Sequence, residues 1–266
     1  MQTVTSKYLL HLSFKGTNYY GWQIQPKSVS VQQVLNYALK TLLREDVNTC
    51  GAGRTDKGVH ASFFIAHFDT SSTIQENDPD LVFRLNRLLP QDIRIHGIQK
   101  VPDDFHARFS ATERTYHYVI AREKTCFLNE FSSYVYGTLD VQDMILASGI
   151  LKEYDDFTSF ARLHGNAKTN ICHIIESEWN EKNGFLVYRI SADRFLRNMV
   201  RAIVGTLLEV GRGKMTIPCF REVIESRDRS SAGKSADAKG LFLTGISYPE
   251  EFNVPAAVNG FPEFIV

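Results

Sequence analysis

Cysteine is scarce in this sequence of 266 residues. The four present, Cys50, Cys126, Cys172 and Cys219, form no Cys-x-x-Cys pair, which excludes zinc-ribbon spacing and a disulfide framework. Long apolar runs are missing too: none approaches the roughly 20 residues a membrane helix needs. Met1-Gln-Thr-Val-Thr-Ser-Lys7 has no stretch of signal-peptide type. No short-period repeat occurs, and the one biased tract is the polar Ser-Ala-Gly-Lys run at 230–238. Net charge is zero. These absences point to a reduced, cytoplasmic protein without a membrane partner. With 43% hydrophobic and 23% charged residues the chain is an ordinary globular one. Its length allows up to about two domains.

Zero net charge conceals an uneven distribution. Residues 1–44 carry Lys7, Lys15, Lys27, Lys40 and Arg44 and no acid. The stretch from Arg194 to Lys214 carries Arg194, Arg197, Arg201, Arg212 and Lys214 against Glu209 alone. The C-terminal end holds Glu250, Glu251 and Glu263 and no base. A local basic footprint on a neutral protein is compatible with nucleic acid, and equally with solvated faces of an ordinary enzyme.

Alternation of Tyr8, Leu10, Leu12 and Phe14 predicts a strand. A polar loop follows over Gly16–Ser28. Val31, Val34, Leu35, Ala38, Leu39, Leu42 and Leu43 then recur at helical spacing, behind a capping pair of Ser30 and Gln33. After a Gly-rich turn at Cys50–Asp56, a strand is expected over Ala61–Phe68, a helix over Asp80–Leu89 ended by Pro90, and a strand over Ile93–Val101. A second set follows. Strands are expected at Arg114–Ile120 and Phe131–Tyr136, and a helix from an Asp140 cap to about Leu151. Cys172–Trp179 and Phe185–Ser191 form a hairpin around Asn183-Gly184. Phe195, Met199, Val200, Ile203, Val204, Leu207 and Leu208 mark a buried helix face stopped by Gly211. The order of elements gives an α+β chain: an N-terminal unit over 1–104, a C-terminal unit over 105–248, and a tail over 249–266.

Gly51-Ala-Gly-Arg-Thr-Asp-Lys-Gly-Val-His-Ala61 is the most informative stretch. It lacks the Gly-Lys-Ser/Thr of a phosphate loop. A dinucleotide fingerprint would need glycine at position 56, where Asp56 would repel pyrophosphate. Gly51, Gly53 and Gly58 instead let the backbone turn sharply and present Asp56 with Arg54 two residues away. Asp56 and His60 supply only two of the ligands a metal-dependent hydrolase needs, so His60 is read as a structural or RNA-contacting histidine. Trp22, with Tyr19 and Tyr20, is either a fold anchor or an RNA-facing surface.

This stretch resembles the aspartate motif of the tRNA pseudouridine synthase A family. Phe14-Lys-Gly-Thr-Asn-Tyr-Tyr-Gly-Trp-Gln-Ile-Gln25, Leu85-Asn-Arg-Leu-Leu-Pro-Gln-Asp-Ile93, Phe105-His-Ala-Arg-Phe-Ser-Ala111, Arg114-Thr-Tyr-His-Tyr118, Asp156-Phe-Thr-Ser-Phe160, Phe195-Leu-Arg-Asn-Met-Val-Arg201 and Lys239-Gly-Leu-Phe-Leu243 resemble further family motifs, in order, from about Tyr8 to Tyr248. Departures are Phe14-Lys15, where many members carry Tyr-Asp, and Lys168-Thr-Asn-Ile-Cys172, which lacks an arginine that often follows the threonine.

The resemblance implies a pseudouridine synthase fold, two ferredoxin-like halves sharing a central antiparallel sheet with helices outside. It implies an isomerase that converts uridine to pseudouridine at tRNA positions 38–40, working as a homodimer with tRNA as partner and with no metal or cofactor. Asp56 matches the catalytic aspartate. Attack at C1′, attack at C6 and deprotonation at C2′ are all open to a carboxylate there. Arg201 matches the arginine expected to pair with it and Tyr116 the family tyrosine, in a cleft between the halves. Arg54 would fill the gap left by a flipped uridine, Leu241 and Leu243 would wall the pocket or equally be plain core residues, and Arg194 and Arg197 would lie nearer phosphate. Tyr118 is expected to be core. The rival is a non-catalytic ferredoxin-like RNA-binding protein, which would need exposed strand aromatics in an RNP-like pattern.

Overall fold

The fold is that of a computed structural model, which describes residues 5–75, 78–162 and 168–257. Glu263 of the acidic C-terminal stretch and the first four residues lie outside them. The chain divides into two units. One runs to Thr112 and takes up the chain again from Leu243; the other is Glu113–Phe242.

In the first unit, β1 (Ser6–Phe14) lies between β3 (His60–Thr70) and β4 (Ile93–Lys100), antiparallel to both. Both its edges are paired, and its central residues from Tyr8 to Leu12 are all buried. The two-residue β2 (Cys50–Gly51) pairs with His67 and Ala66 of β3. The late strand β9 (Leu241–Ser247) follows β3 in the sheet order. Helix α1 (Val31–Leu43) starts where Ser30 Oγ accepts the Gln33 N–H at 3.3 Å, as the capping pair predicts. Helix α2 (Pro79–Leu88) begins slightly earlier than expected: Pro79 opens it and Asp78 caps it, accepting from the Asp80 and Leu81 N–H groups. Asn86 fastens α2 to β4, donating to the Ile95 carbonyl and accepting the Ile95 N–H, both at 2.8 Å.

In the second unit, β5 (Glu113–Ala121), β8 (Phe185–Ala192) and β7 (Ile174–Lys182) form an antiparallel series. The β7–β8 turn carries Asn183 at φ 53° and Gly184 at φ 79°, the left-handed pair that Asn-Gly supplies. Helices α3 (Val141–Ile150), α4 (Met199–Gly211) and α5 (Ile217–Glu225) complete the unit. Asp140 caps α3 through the Asp143 N–H. Trp179 stacks on Tyr188 at 4.6 Å, and the Tyr188 hydroxyl meets Ser177 Oγ at 2.7 Å.

Two differences from the sequence reading have local causes. The strand expected over Phe131–Tyr136 shrinks to β6 (Ser133–Tyr134), parallel to β5, because Phe131 closes a turn onto Leu128 and Gly137 turns the chain at φ 91°. Phe195 lies outside α4, which begins at Met199 after Asn198 takes a left-handed conformation at φ 66°. The polar 230–238 tract packs on α4 so closely that a Cβ on Gly205 would overlap the Lys234 carbonyl. The α+β class and the mostly antiparallel pairing stand as expected.

Candidate active site

The loop bearing Asp56 leaves β2 and returns as β3. Its ends are fixed by backbone hydrogen bonds, Ala52 N–H to the Ile65 carbonyl at 2.8 Å and Val59 N–H to the Asp56 carbonyl at 3.2 Å. The Gly16–Gly21 segment braces its middle. Gly58 N–H donates to the Tyr19 carbonyl at 3.3 Å, and Trp22 N–H to the Thr55 carbonyl at 3.4 Å. Gly21, at φ 87°, comes so near that a Cβ there would overlap the Thr55 carbonyl. Gly51 is required because Trp22 lies flat against it; that indole is 1% exposed and sits 4.3 Å from the Phe64 ring. Trp22 and Tyr19 are therefore fold anchors, whereas Tyr20 faces solvent with Lys57 Nζ 4.1 Å from its ring. Asp56 is half-buried and Arg54 exposed. The Thr55 hydroxyl between them is buried with no hydrogen-bond partner among the described residues.

His60 is structural. It is 1% exposed, and its Nδ1 accepts the Gly16 N–H at 3.0 Å. A different trio, Cys50, His67 and His106, brings possible metal-ligand atoms within 4.8 Å of one another. Its hydrogen bonds do not suit a metal. His67 Nδ1 accepts the Ala107 N–H, and His106 Nδ1 accepts the Arg108 and Phe109 N–H groups. A neutral imidazole so engaged keeps its proton on Nε2, and His106 Nε2 is the atom that faces Cys50 Sγ at 3.8 Å. A metal-bound histidine instead donates through its other nitrogen. Burial pushes His67 down to about 4, with Lys7 and His106 adding to the effect. It also pushes the Cys50 thiol up, against the opposing influence of Arg108, Arg54 and Lys7.

Most of the other predicted residues lie in the second unit. Tyr116, half-buried on β5, meets Phe195 edge-on, with ring centroids 5.2 Å apart and planes at 90°. Arg201, in the first turn of α4, donates from Nε to the Ala236 carbonyl at 2.7 Å, and Ala236 N–H returns to the Arg201 carbonyl at 2.9 Å. The 230–238 tract thus sets the aim of this guanidinium, which the sequence did not indicate. Tyr118 is wholly buried and donates to the Asp237 carbonyl at 2.9 Å, in keeping with a core role; burial raises its phenol well above the usual range. Arg194 is half-buried and Arg197 exposed. Leu241 and Leu243 are both buried on β9.

Motifs from both units enter the comparison with known proteins. The family model described as tRNA pseudouridine synthase matches residues 12–110 and 154–249. The chain belongs to this family. A tRNA pseudouridine synthase A from Bacteroides thetaiotaomicron is 52% identical over 248 residues, covering 92% of this chain and 91% of that protein. Its counterpart from Bacteroides fragilis is 50% identical over 246 residues, covering 92% and 97%. A more distant one from Enterobacter is 38% identical over 251 residues, covering 92% and 91%. Membership makes the chain an isomerase of the pseudouridine-forming type. The family match takes in the loop of Asp56 and the helix of Arg201, and it stops between residues 110 and 154, so Tyr116 falls outside the matched segments.

Proposed function

We propose that this protein isomerises uridine to pseudouridine in the anticodon stem-loop of tRNA, at positions 38–40, and that Asp56 is the carboxylate that carries the reaction. The observation that bears most weight is the bracing of the Asp56 loop, held by Gly21, Tyr19 and Trp22, in a chain about half identical to two Bacteroides tRNA pseudouridine synthases A over 92% of its length. In this reading the target uridine leaves the stack, at a cost of about a few kcal/mol. The C1′–N1 bond breaks, the uracil turns, and a C1′–C5 bond forms. The proton on C5 is lost and N1 regains one, so atoms balance without a redox partner.

The exposed guanidinium of Arg54 fills the place of the flipped base. Tyr116, steadied edge-on by Phe195, stacks on the uracil, and Arg201 supplies positive charge to the carboxylate. Leu241 and Leu243 keep water from the reacting base, while Arg194 and Arg197 meet phosphate. The enzyme acts in the cytoplasm as a homodimer with one tRNA spanning both subunits.

The test is release of tritium from tRNA labelled at uracil C5. Wild type releases it, with or without EDTA. Asp56→Ala and Asp56→Asn release none yet still bind tRNA. Turnover by either variant would remove Asp56 from the mechanism.

A further inference from the structure

The motif Phe105-His-Ala-Arg-Phe-Ser-Ala111 contains a side chain that the chemistry above does not use. Phe109 is 75% exposed, although hydrogen bonds tie the backbone around it. Its own N–H and that of Arg108 both donate to His106 Nδ1, at 3.2 and 3.1 Å. His106 N–H donates to Ser110 Oγ at 3.0 Å, and Ser110 N–H to the His106 carbonyl at 2.9 Å. Ala107 is tied on both sides, its N–H to His67 Nδ1 and its carbonyl to the Tyr248 hydroxyl at 2.6 Å. The loop fixed in this way holds the ring outward, laid against the His106 imidazole with centroids 4.3 Å apart and planes at 33°.

Charge says what such a ring is for. Arg108 holds its guanidinium carbon over the Phe109 ring, 5.5 Å from the centroid and within cation–π range, near enough to reach a phosphate beside a base that meets the ring. Behind the platform, Cys50 is within electrostatic reach of Arg108, Arg54 and Lys7, of which Lys7 is paired with Asp69 at 3.2 Å. Cys50 directly precedes the Gly51–Gly58 loop, so the platform adjoins the segment that presents Arg54 and Asp56. A rigid, exposed aromatic ring beside cations is how proteins hold an unpaired nucleobase and its phosphate.

We propose that Phe109, backed by His106 and flanked by Arg108, is a stacking platform for an unpaired nucleobase of the tRNA loop neighbouring the target uridine. It rests on the tRNA reading above. Its role is in substrate binding, and bond-making does not depend on it. Because every base has a π-face, the platform tolerates sequence variation in the loop nucleotide it holds.

The experiment compares wild type, Phe109→Leu and Phe109→Trp for affinity to an anticodon stem-loop transcript and for tritium release from it. Stacking needs an aromatic face, so Phe109→Leu should bind about tenfold more weakly, the scale of one lost base–aromatic stack. Its KM should rise by a similar factor while kcat stays within about twofold, and Phe109→Trp should match wild type. Unchanged thermal melting of both variants would confirm that an exposed ring was altered and nothing else. Wild-type affinity in Phe109→Leu, or equal loss in the leucine and tryptophan variants, would overturn the platform. So would a weaker self-association of Phe109→Leu with its RNA affinity intact, since the ring would then serve a second copy of the chain. Wild type that releases no tritium strikes the activity itself, a separate failure.

Discussion

The Tyr19 hydroxyl donates to Oδ1 of Asp92 at 2.5 Å, and Asn18 Nδ2 donates to Oδ2 of the same carboxylate at 3.0 Å. The Asp92 carbonyl also accepts the Lys15 N–H at 2.8 Å. One residue ahead of β4 thus holds the turn whose Tyr19 carbonyl takes the Gly58 N–H of the aspartate loop. Burial first, then the Asp92 carboxylate, raises the Tyr19 phenol well above its usual range and keeps the donor protonated. Tyr19→Phe should cost about 1 kcal/mol of stability, measured by urea unfolding. Asp92→Ala strands two donors, the Tyr19 hydroxyl and Asn18 Nδ2, and should slow single-turnover isomerisation by about tenfold, with tRNA affinity unchanged. Equal losses in rate and affinity would contradict a role confined to positioning the loop.

Gly21→Ala should be more damaging. Its backbone at φ 87° strains any L side chain, and the new methyl would press on the Thr55 carbonyl, one residue from Asp56. Displacement of a catalytic group by about 1 Å costs on the order of a hundredfold in rate. Gly53→Ala is the control, because its Cβ would meet nothing within 4 Å. The two variants should separate by roughly that hundredfold in tritium release.

Thr55→Val keeps the side-chain shape and removes a buried hydroxyl that has no hydrogen-bond partner among the described residues. Thermal unfolding should show the variant as stable as wild type, or more so by up to about 1 kcal/mol. Activity should be kept as well. A sharp fall in turnover would reveal that the hydroxyl finds its partner only when RNA is bound.

Acid should weaken the fold before carboxylates titrate. His11, His67 and His117 are each held at about 4, burial being the main cause, helped by His96, Lys7 and Arg189 respectively. The unfolded chain releases these protons near 6.5. Between about 4 and 6.5 the unfolded state therefore binds more protons, so stability rises with pH across that window and is fully present above it. Urea midpoints should fall between pH 7.5 and pH 5, and His67→Gln should show a shallower fall.

Much of this architecture was legible in the sequence because the signals were local. Ser30 and Asp140 announced their helices, Asn183-Gly184 its hairpin, and the alternation through Phe14 its strand. Helix α5 went unread although Thr216 caps it through the Cys219 N–H and Pro218 stands in its first turn; nine residues give too short a period to notice. The site was legible where a motif is contiguous, as around Asp56. What could not be read depends on residues distant in the chain. Asp92 reaches Tyr19 across 73 positions, and Ala236 meets Arg201 across 35. The polar 230–238 tract gave no sign of its role, because the groups that meet Arg201 are backbone ones, the Ala236 carbonyl and N–H.

Strand β9 is the last strand among the described residues, yet the first unit uses it beside β3. A ribosome must reach Ser247 before that sheet is complete, so for most of synthesis the nascent N-terminal portion carries a flank of β3 awaiting its neighbour. Such an edge invites mispairing with other chains. A premature stop late in the message would accordingly harm more than a C-terminal extension: it would leave residues translated long before, those cradling Asp56 among them, without the strand that completes their sheet.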